Sequence, residues 1–183
     1  MNFYVLAGGE SRRMGRNKAL LRLQGETLIE RSLSSIPDGY PAKIVTNSPE
    51  EYDFLQYQTI ADVHKDLGPI GGVHAGLADA ASFFSFFLAC DLPFLSQELV
   101  KNLLNRHSKQ DIFGGRTRDG YQPLCTIYSA NCLAVIESQI KKQDFRLHRL
   151  PEMLNSEFIE IGEPGDFFNV NTERDWLFAK SRA

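Results

Sequence analysis

The sequence predicts an α/β protein: a mostly parallel sheet in one domain, covered on both faces by helices. Three observations carry this. Short apolar runs alternate with amphipathic segments as far as residue 110, the order expected of βαβ units. One run, Phe83 to Ala89, is apolar almost throughout, as a central strand buried on both faces must be. The length of 183 residues and a hydrophobic fraction of 43% suit a single core of ordinary composition.

Phe3–Ala7 reads as the first strand. Thr27 opens a helix, because Thr27 and Glu30 have capping-box spacing and Leu28, Ile29, Leu33 and Ile36 share one face. Pro37-Asp38-Gly39 stops it. Lys43–Thr46 and Gln58–Ala61 are short strands, and Gly71–Ala81 is helical despite its glycines. After the central strand, Ser96 caps a helix whose Leu99, Val100, Leu103 and Leu104 face inward. Phe83, Phe84, Phe86 and Phe87 read as core, not interface. Read as alternating, this part of the chain is expected to have the order βαβαβαβα, although no helical segment is named between Lys43–Thr46 and Gln58–Ala61. Beyond them the pattern loosens. Ile112–Gly115 and Leu124–Tyr128 look like strands joined by a polar turn at Arg116–Gly120. Asn131–Lys141 and Arg146–Leu154 read as helices, Glu157–Ile161 as a late strand and Thr172–Lys180 as a terminal helix.

A net charge of −3 gives no reason to expect a nucleic-acid partner. The arginines near the N-terminus are a local cluster in a mildly acidic chain, which favours a small anion. The longest apolar block, Phe83 to Cys90, falls short of the roughly 20 residues that span a bilayer. With no basic-then-apolar leader, the expectation is a cytoplasmic protein without a membrane partner. Cys90, Cys125 and Cys132 form no C-x-x-C and are expected as reduced thiols. His64, His74, His107 and His148 are scattered, so no zinc site is expected.

In open α/β sheets ligands bind beyond the carboxyl ends of strands, so the loops after the strands carry the function. The first strand empties into Leu6-Ala7-Gly8-Gly9-Glu10-Ser11-Arg12-Arg13-Met14-Gly15-Arg16-Asn17-Lys18. Glycines let the backbone approach a ligand, and successive N–H groups make an anion nest. The three arginines and Lys18 add full charge, a combination suited to a triphosphate. The loop is neither a P-loop, which needs Gly-Lys-Ser/Thr, nor a dinucleotide G-x-G-x-x-G. Asp62 follows the third strand. Gly68-Pro69-Ile70-Gly71-Gly72 is open to two readings, an anion-facing helix start or an ordinary turn. Asp91, at the tip of the apolar strand, either holds a divalent cation with substrate phosphates or caps a turn. Asn169 and Asn171 flank Val170, so on an extended backbone their amides share a side. They suit a polar heterocycle, while Thr172 and Asp175 cap the last helix.

Together with Gln122-Pro123-Leu124, these segments occur in the order found in the molybdenum cofactor guanylyltransferase family, which the chain resembles from Val5 to Asp175. The glycine loop matches L-A-G-G-x-S-x-R-M-G-x-x-K, and G-P-I-x-G, C-D-x-P and N-x-N-T-x-x-D follow. The resemblance implies a three-layer, Rossmann-like nucleotidyltransferase fold over residues 1–183, with GTP and Mg²⁺ toward the N-terminal part and molybdopterin toward the C-terminal part. It implies transfer of GMP from GTP to the terminal phosphate of molybdopterin, with release of pyrophosphate. Leu6, Ala7, Gly8, Gly9, Arg13, Gly15, Lys18, Asp62 and Asp91 are then nucleotide-binding. Among them Lys18, Arg13 and Asp91 are catalytic, and Asp91 is the Mg²⁺ ligand. Gln122, Pro123, Asn169 and Asn171 face the pterin. Transient contacts with cofactor-insertion and target proteins are also implied. Asn17 departs from the pattern, since an aspartate often precedes the family lysine; asparagine keeps the shape and loses a charge. The cytidylyltransferase relatives, which usually carry Ala-Ala-Gly where this chain has Ala7-Gly8-Gly9, are the nearest alternative. A sugar-nucleotide pyrophosphorylase shares the opening loop, and a non-catalytic nucleotide- or cofactor-binding module is the alternative of another class.

Overall fold

The structure is a computed structural model, and it describes residues 1–8, 16–64, 66–161 and 165–183. Within these residues, β1 (Asn2–Leu6) is followed by a small hairpin, β2 (Arg22–Leu23) and β3 (Glu26–Thr27), and by α1 (Leu28–Ser34). Then come β4 (Ala42–Val45), β5 (Gln58–Ile60), α2 (Pro69–Asp79), β6 (Phe84–Ala89) and α3 (Gln97–Arg106). The chain continues through β7 (Ile112–Thr117), β8 (Gly120–Ser129), α4 (Asn131–Lys141), β9 (Ser156–Glu160) and α5 (Glu173–Arg182). Lys18–Leu20, Pro49–Leu55 and Leu147–Glu152 are 3₁₀ turns.

The seven-stranded sheet runs β5-β4-β1-β6-β8-β7-β9. Only β8 is reversed: it is antiparallel to both β6 and β7, whereas every other neighbouring pair is parallel. From β1 the chain winds outward through β4 and β5 and then returns to lay β6 on the other side of β1. Their carboxyl ends form the crevice where α/β sheets bind ligands.

Side-chain alternation splits the core. Phe3, Val5, Ile44, Phe86 and Leu88 face α1 and α3, where Ile29, Leu33, Leu99, Val100 and Leu103 cover them. Tyr4, Leu6, Val45 and Phe87 face α2 and α4, under Ile70, Val73, Cys132 and Ile136. Helices on both faces are what the buried strands demand, so the expected three-layer architecture holds. The glycines of α2 have a packing reason. A Cβ at Gly72 would stand 2.8 Å from the Leu6 side chain, and one at Gly76 2.5 Å from the Phe87 ring. Their absence lets the helix lie close on the sheet. A third cluster, Leu21, Leu23, Leu28, Val170, Trp176 and Ala179, seats α5 against the β2–β3 hairpin.

The structure corrects the sequence reading at several points. No α-helix joins β4 to β5; a 3₁₀ turn at Pro49–Leu55 does, so the strict βαβαβαβα order fails there. The expected polar turn at Arg116–Gly120 is mostly strand, and β7 and β8 meet in a tight hairpin. Gln122 and Pro123 therefore lie on β8, not in a loop, at a register shift between Gly114 and Arg116. A proline lacks the N–H a regular ladder needs, and an irregularity is where a strand tolerates one. The carbonyls there are satisfied by β8 itself: Thr126 donates to Gln122 O at 2.6 Å and Tyr128 to Pro123 O at 2.9 Å. The expected helix over Arg146–Leu154 is the 3₁₀ turn Leu147–Glu152, which contains Pro151. Phe83 is 53% exposed and precedes β6, whereas Phe86 and Phe87 are fully buried. All three cysteines are buried and unpaired.

Candidate active site

The carboxyl ends of β1 and β6 open into a cleft of about 840 Å³. Leu6 of β1 with Ala7 and Gly8 just after it, and Ala89 of β6 with Cys90 to Leu92 just after it, form part of its wall. The two strand ends are fixed to each other, since Cys90 N–H donates to Leu6 O at 3.2 Å. Ser32 of α1 donates to the Ala89 carbonyl at 3.0 Å and supports the turn from below.

Lys18, Asp91 and Asn171 converge in this cleft from three distant stretches of chain. The Lys18 ammonium ion-pairs with Asp91 Oδ2 and donates to Asn171 Oδ1 at 2.9 Å. Each is placed by local chemistry. Lys18 opens a 3₁₀ turn whose N-cap is Asn17, with Asn17 Oδ1 accepting from the Ala19 N–H at 3.0 Å. Asp91 lies just beyond β6 and is 7% exposed. Asn171 precedes the N-cap of α5, where Thr172 and Asp175 form the capping box expected from their spacing. Hydrogen bonds from Thr172 and Asn171 outweigh desolvation at Asp175 and hold its carboxyl below the ordinary range. Arg16 adds an ion pair to Glu173 at 2.9 Å, between exposed partners.

Asp91 Oδ1 is buried and has no hydrogen-bond partner among the described residues. Such an oxygen is costly unless something positive meets it. Among the described residues no group of three or more His, Cys, Asp or Glu converges as a metal cage. A cation here would rest on Asp91 and on oxygens of a bound phosphate, which is how Mg²⁺ is commonly held. The donor set thus fits that ion. Cys90, alongside, is no nucleophile: burial, with Asp91 adjacent, pushes its thiol up to about 12.

Of the other residues singled out from the sequence, Leu6, Ala7, Gly8, Gln122, Pro123 and Asn169 all line the same cleft. Asn169 Nδ2 donates to the Phe167 carbonyl at 3.1 Å. Asp62 does not line it. Its N–H donates to Asn47 Oδ1 at 3.0 Å, it sits near Gly71 of α2, and burial raises its carboxyl above the ordinary range. Gly9, Arg13 and Gly15 lie outside the described residues.

Gly68 and Pro69, left open above between an anion-facing helix start and an ordinary turn, line this wall, and the structure adds a segment that the sequence reading passed over, Phe145 to His148. Gly68 has φ of +69°, a conformation that favours glycine, and turns the chain into α2 with Pro69 at its first position. The segment is tied to β8 by Tyr121, whose hydroxyl donates to Leu147 O at 2.6 Å. Arg146 is held by Asp144 at 2.7 and 3.0 Å. The available signal was the run Arg146-Leu147-His148-Arg149 before Pro151, which breaks helical periodicity and gathers basic side chains.

Residues 3–156 match the family described as the MobA-like NTP transferase domain. A protein of Desulfosudis oleivorans named molybdenum cofactor guanylyltransferase is 38% identical over an alignment that spans 93% of this chain and 90% of that one. A Natranaerobius thermophilus protein named "Probable molybdenum cofactor guanylyltransferase" is 32% identical over 93% and 90%. Among solved structures, molybdopterin-guanine dinucleotide biosynthesis protein A from Archaeoglobus fulgidus superposes with a TM-score of 0.84 at 26% identity, covering 100% of this chain and 98% of that one.

Proposed function

The chain belongs to the MobA-like NTP transferase family, and from that premise we propose that it transfers GMP from GTP to the terminal phosphate of molybdopterin, releasing pyrophosphate and forming the guanine dinucleotide form of the molybdenum cofactor. The observation that carries this reading is the meeting of Lys18, Asp91 and Asn171 in one cleft at the carboxyl edge of β1 and β6.

An oxygen of the pterin's phosphate attacks the α-phosphorus of GTP. The bond from that phosphorus to the α,β-bridging oxygen breaks, and pyrophosphate leaves with the electron pair. The substrate brings its own nucleophile, which suits a cleft where burial pushes the Cys90 thiol up to about 12. The protein's task is to align two repelling anions and offset charge at phosphorus. Mg²⁺, when bound, supplies Lewis-acid charge on phosphate oxygens, with Asp91 as its protein ligand. Lys18 neutralises the α-phosphate as negative charge grows there. The N–H groups from Gly8 to Gly15 hold the nucleotide phosphates, and Arg13 offsets the departing ones, roles that rest on the motif. Leu6, Ala7, Gly8 and Gly9 pass beside the base, and Asp62 serves the nucleotide end from beyond the cleft wall. Gln122, Pro123, Asn169 and Asn171 receive the pterin, joined by Arg146 and His148. The N-terminal part thus serves GTP and Mg²⁺, and the C-terminal part molybdopterin.

Guanine is favoured over cytosine at Gly8. A Cβ there would meet Val45 O at 3.7 Å and Thr46 Cα at 3.8 Å, ordinary contacts, and the residue has no positive φ. Nothing among the described residues therefore requires glycine here, and the missing side chain leaves room for a larger base. Among the described residues no helix is long and apolar enough to cross a membrane. We place the reaction in the cytoplasm, with transient hand-over to proteins that insert the cofactor or receive it, and without nucleic acid.

The test is a competition assay: protein, Mg²⁺ and molybdopterin with equal GTP, CTP, ATP and UTP, the product identified by mass. A Mg²⁺-dependent guanine dinucleotide is expected. A cytosine product would overturn the base choice, and GTP binding without product would favour a binding module.

A further inference from the structure

Asn17 departs from the family motif, and its surroundings give it a defined job. Its amide orientation is fixed by logic: Oδ1 accepts from the Ala19 N–H at 3.0 Å, so a flip would set donor against donor. The NH₂ group then points away from the 3₁₀ turn. It donates to Tyr52 Oη at 2.9 Å and to the Glu51 carboxylate. A phenol has one hydrogen. Because Asn17 already supplies a donor to its oxygen, Tyr52 spends that hydrogen on the Ala7 carbonyl, at 3.0 Å. Burial pushes the Tyr52 hydroxyl up to about 12, so the phenol keeps its hydrogen across the working range of pH. The ring is 1% exposed within the core, a rigid post. One amide thus connects the turn that carries Lys18 to the end of β1.

We propose that Asn17 is a positioning residue for Lys18, acting by directing the Tyr52 hydroxyl hydrogen to Ala7. An aspartate would undo this in two ways. It has no donor, so the Tyr52 hydrogen turns to the carboxylate and leaves Ala7. It also sets a negative charge against Glu51. Asparagine here is matched to Tyr52 and Glu51. It is not merely a neutral stand-in for aspartate.

The proposal rests on Lys18 acting in the reaction, and its test separates the two. Steady-state kinetics for GTP would be measured for Asn17→Asp, Tyr52→Phe, the double variant and Lys18→Ala. Asn17→Asp is expected to lose about tenfold in kcat/KM, through a lowered kcat or a raised KM according to which of the two Lys18→Ala changes. The double variant is expected to be no worse than the worse single one, because both act through one hydrogen bond. Multiplying losses, a fully active Asn17→Asp, or an effect on the other parameter would overturn the positioning role. If Lys18→Ala moves KM alone, the transition-state role of Lys18 falls, and Asn17→Asp following it in KM upholds this inference. Asn17→Ser keeps an oxygen for the Ala19 N–H and removes both amide N–H donors without adding charge, and its one hydroxyl hydrogen sits on a shorter side chain that cannot serve Tyr52 and Glu51 together. It is expected to give the same kinetic pattern, so a loss of stability in the aspartate variant leaves the question answerable.

Discussion

The backbone N–H of Val170 donates to the backbone carbonyl of Asp91 at 3.0 Å. That bond joins the tip of β6 to the stretch bearing Asn169 and Asn171, and Val170 is itself fully buried against the α5 cluster. The proposed metal ligand and the proposed pterin ligands are therefore parts of one rigid junction, and a change at one is felt at the other.

Asp91→Asn keeps the shape of that junction and removes the charge. Product formation is expected to fall at least about a hundredfold, the scale of losing one metal-centred electrostatic contribution. Single-turnover assays at saturating Mg²⁺ check this; near-normal turnover would remove Asp91 from the ligand role.

Lys18→Ala is expected to lower kcat more than it weakens GTP binding, because the ammonium acts most strongly where charge develops. Nucleotide affinity by calorimetry beside kcat from turnover separates the two. An unchanged kcat with a raised KM would assign Lys18 to ground-state binding.

Gly8→Ala is expected to leave thermal stability close to that of the parent, since among the described residues the added methyl has only ordinary contacts. The ratio of kcat/KM for GTP to that for CTP should drop. A variant that unfolds, or one whose base preference is unmoved, would show that Gly8 serves the fold or nothing at all.

Gly76→Ala tests the packing of α2. The new Cβ would lie 2.5 Å from Phe87 Cε1 and 3.0 Å from Tyr4 Cγ, both in fully buried rings. Overpacking of this kind costs about 1–3 kcal/mol. In a chain of this size each kcal/mol lowers Tm by about 2–4 °C. A melting scan that shows no change would mean the rings yield freely.

His74 couples stability to pH. Burial, and then the neighbouring His64, holds its imidazole below the ordinary value of 6.5, against the opposing Glu137 carboxylate at 3.8 Å. The unfolded chain therefore binds the proton more readily than the folded one. Stability from this group is present in full above pH 6.5 and is lost as pH falls through the lower folded value. Denaturation midpoints between about pH 7 and 5 should decline less steeply for His74→Leu than for the parent; parallel slopes would refute the coupling.

What could be read from the sequence was local. The capping boxes at Thr27–Glu30 and Thr172–Asp175 both form, because each needs only residues three apart. The alternating core strands were readable for the same reason. The reversal of β8 was not, since a strand's direction depends on its neighbours, and its long run through Gln122-Pro123 has no simple period. The glycines of α2 looked like a weakness of the helix until Leu6 and Phe87 were beside them. Arg146 and His148 were missed because only the folding of the Leu147–Glu152 turn against Tyr121 brings them to the cleft. The partners of Asn17, Glu51 and Tyr52, arrive more than thirty residues later in the chain.

The reversed strand has a consequence of its own. Leu88 of β6 pairs with Cys125, which sets Ala89, the last residue of β6, beside Leu124, so residues 120–123 of β8 run past the end of β6, over the carboxyl edge of the sheet. The β7–β8 hairpin is thus an awning that can be lengthened or trimmed without touching the ladder beneath. Adding or removing residues in matched pairs would keep every side chain on its face, while a single-residue change would swap inner for outer. Relatives facing acceptors of different bulk could adjust the depth of this overhang alone, leaving the nucleotide end of the enzyme as it stands.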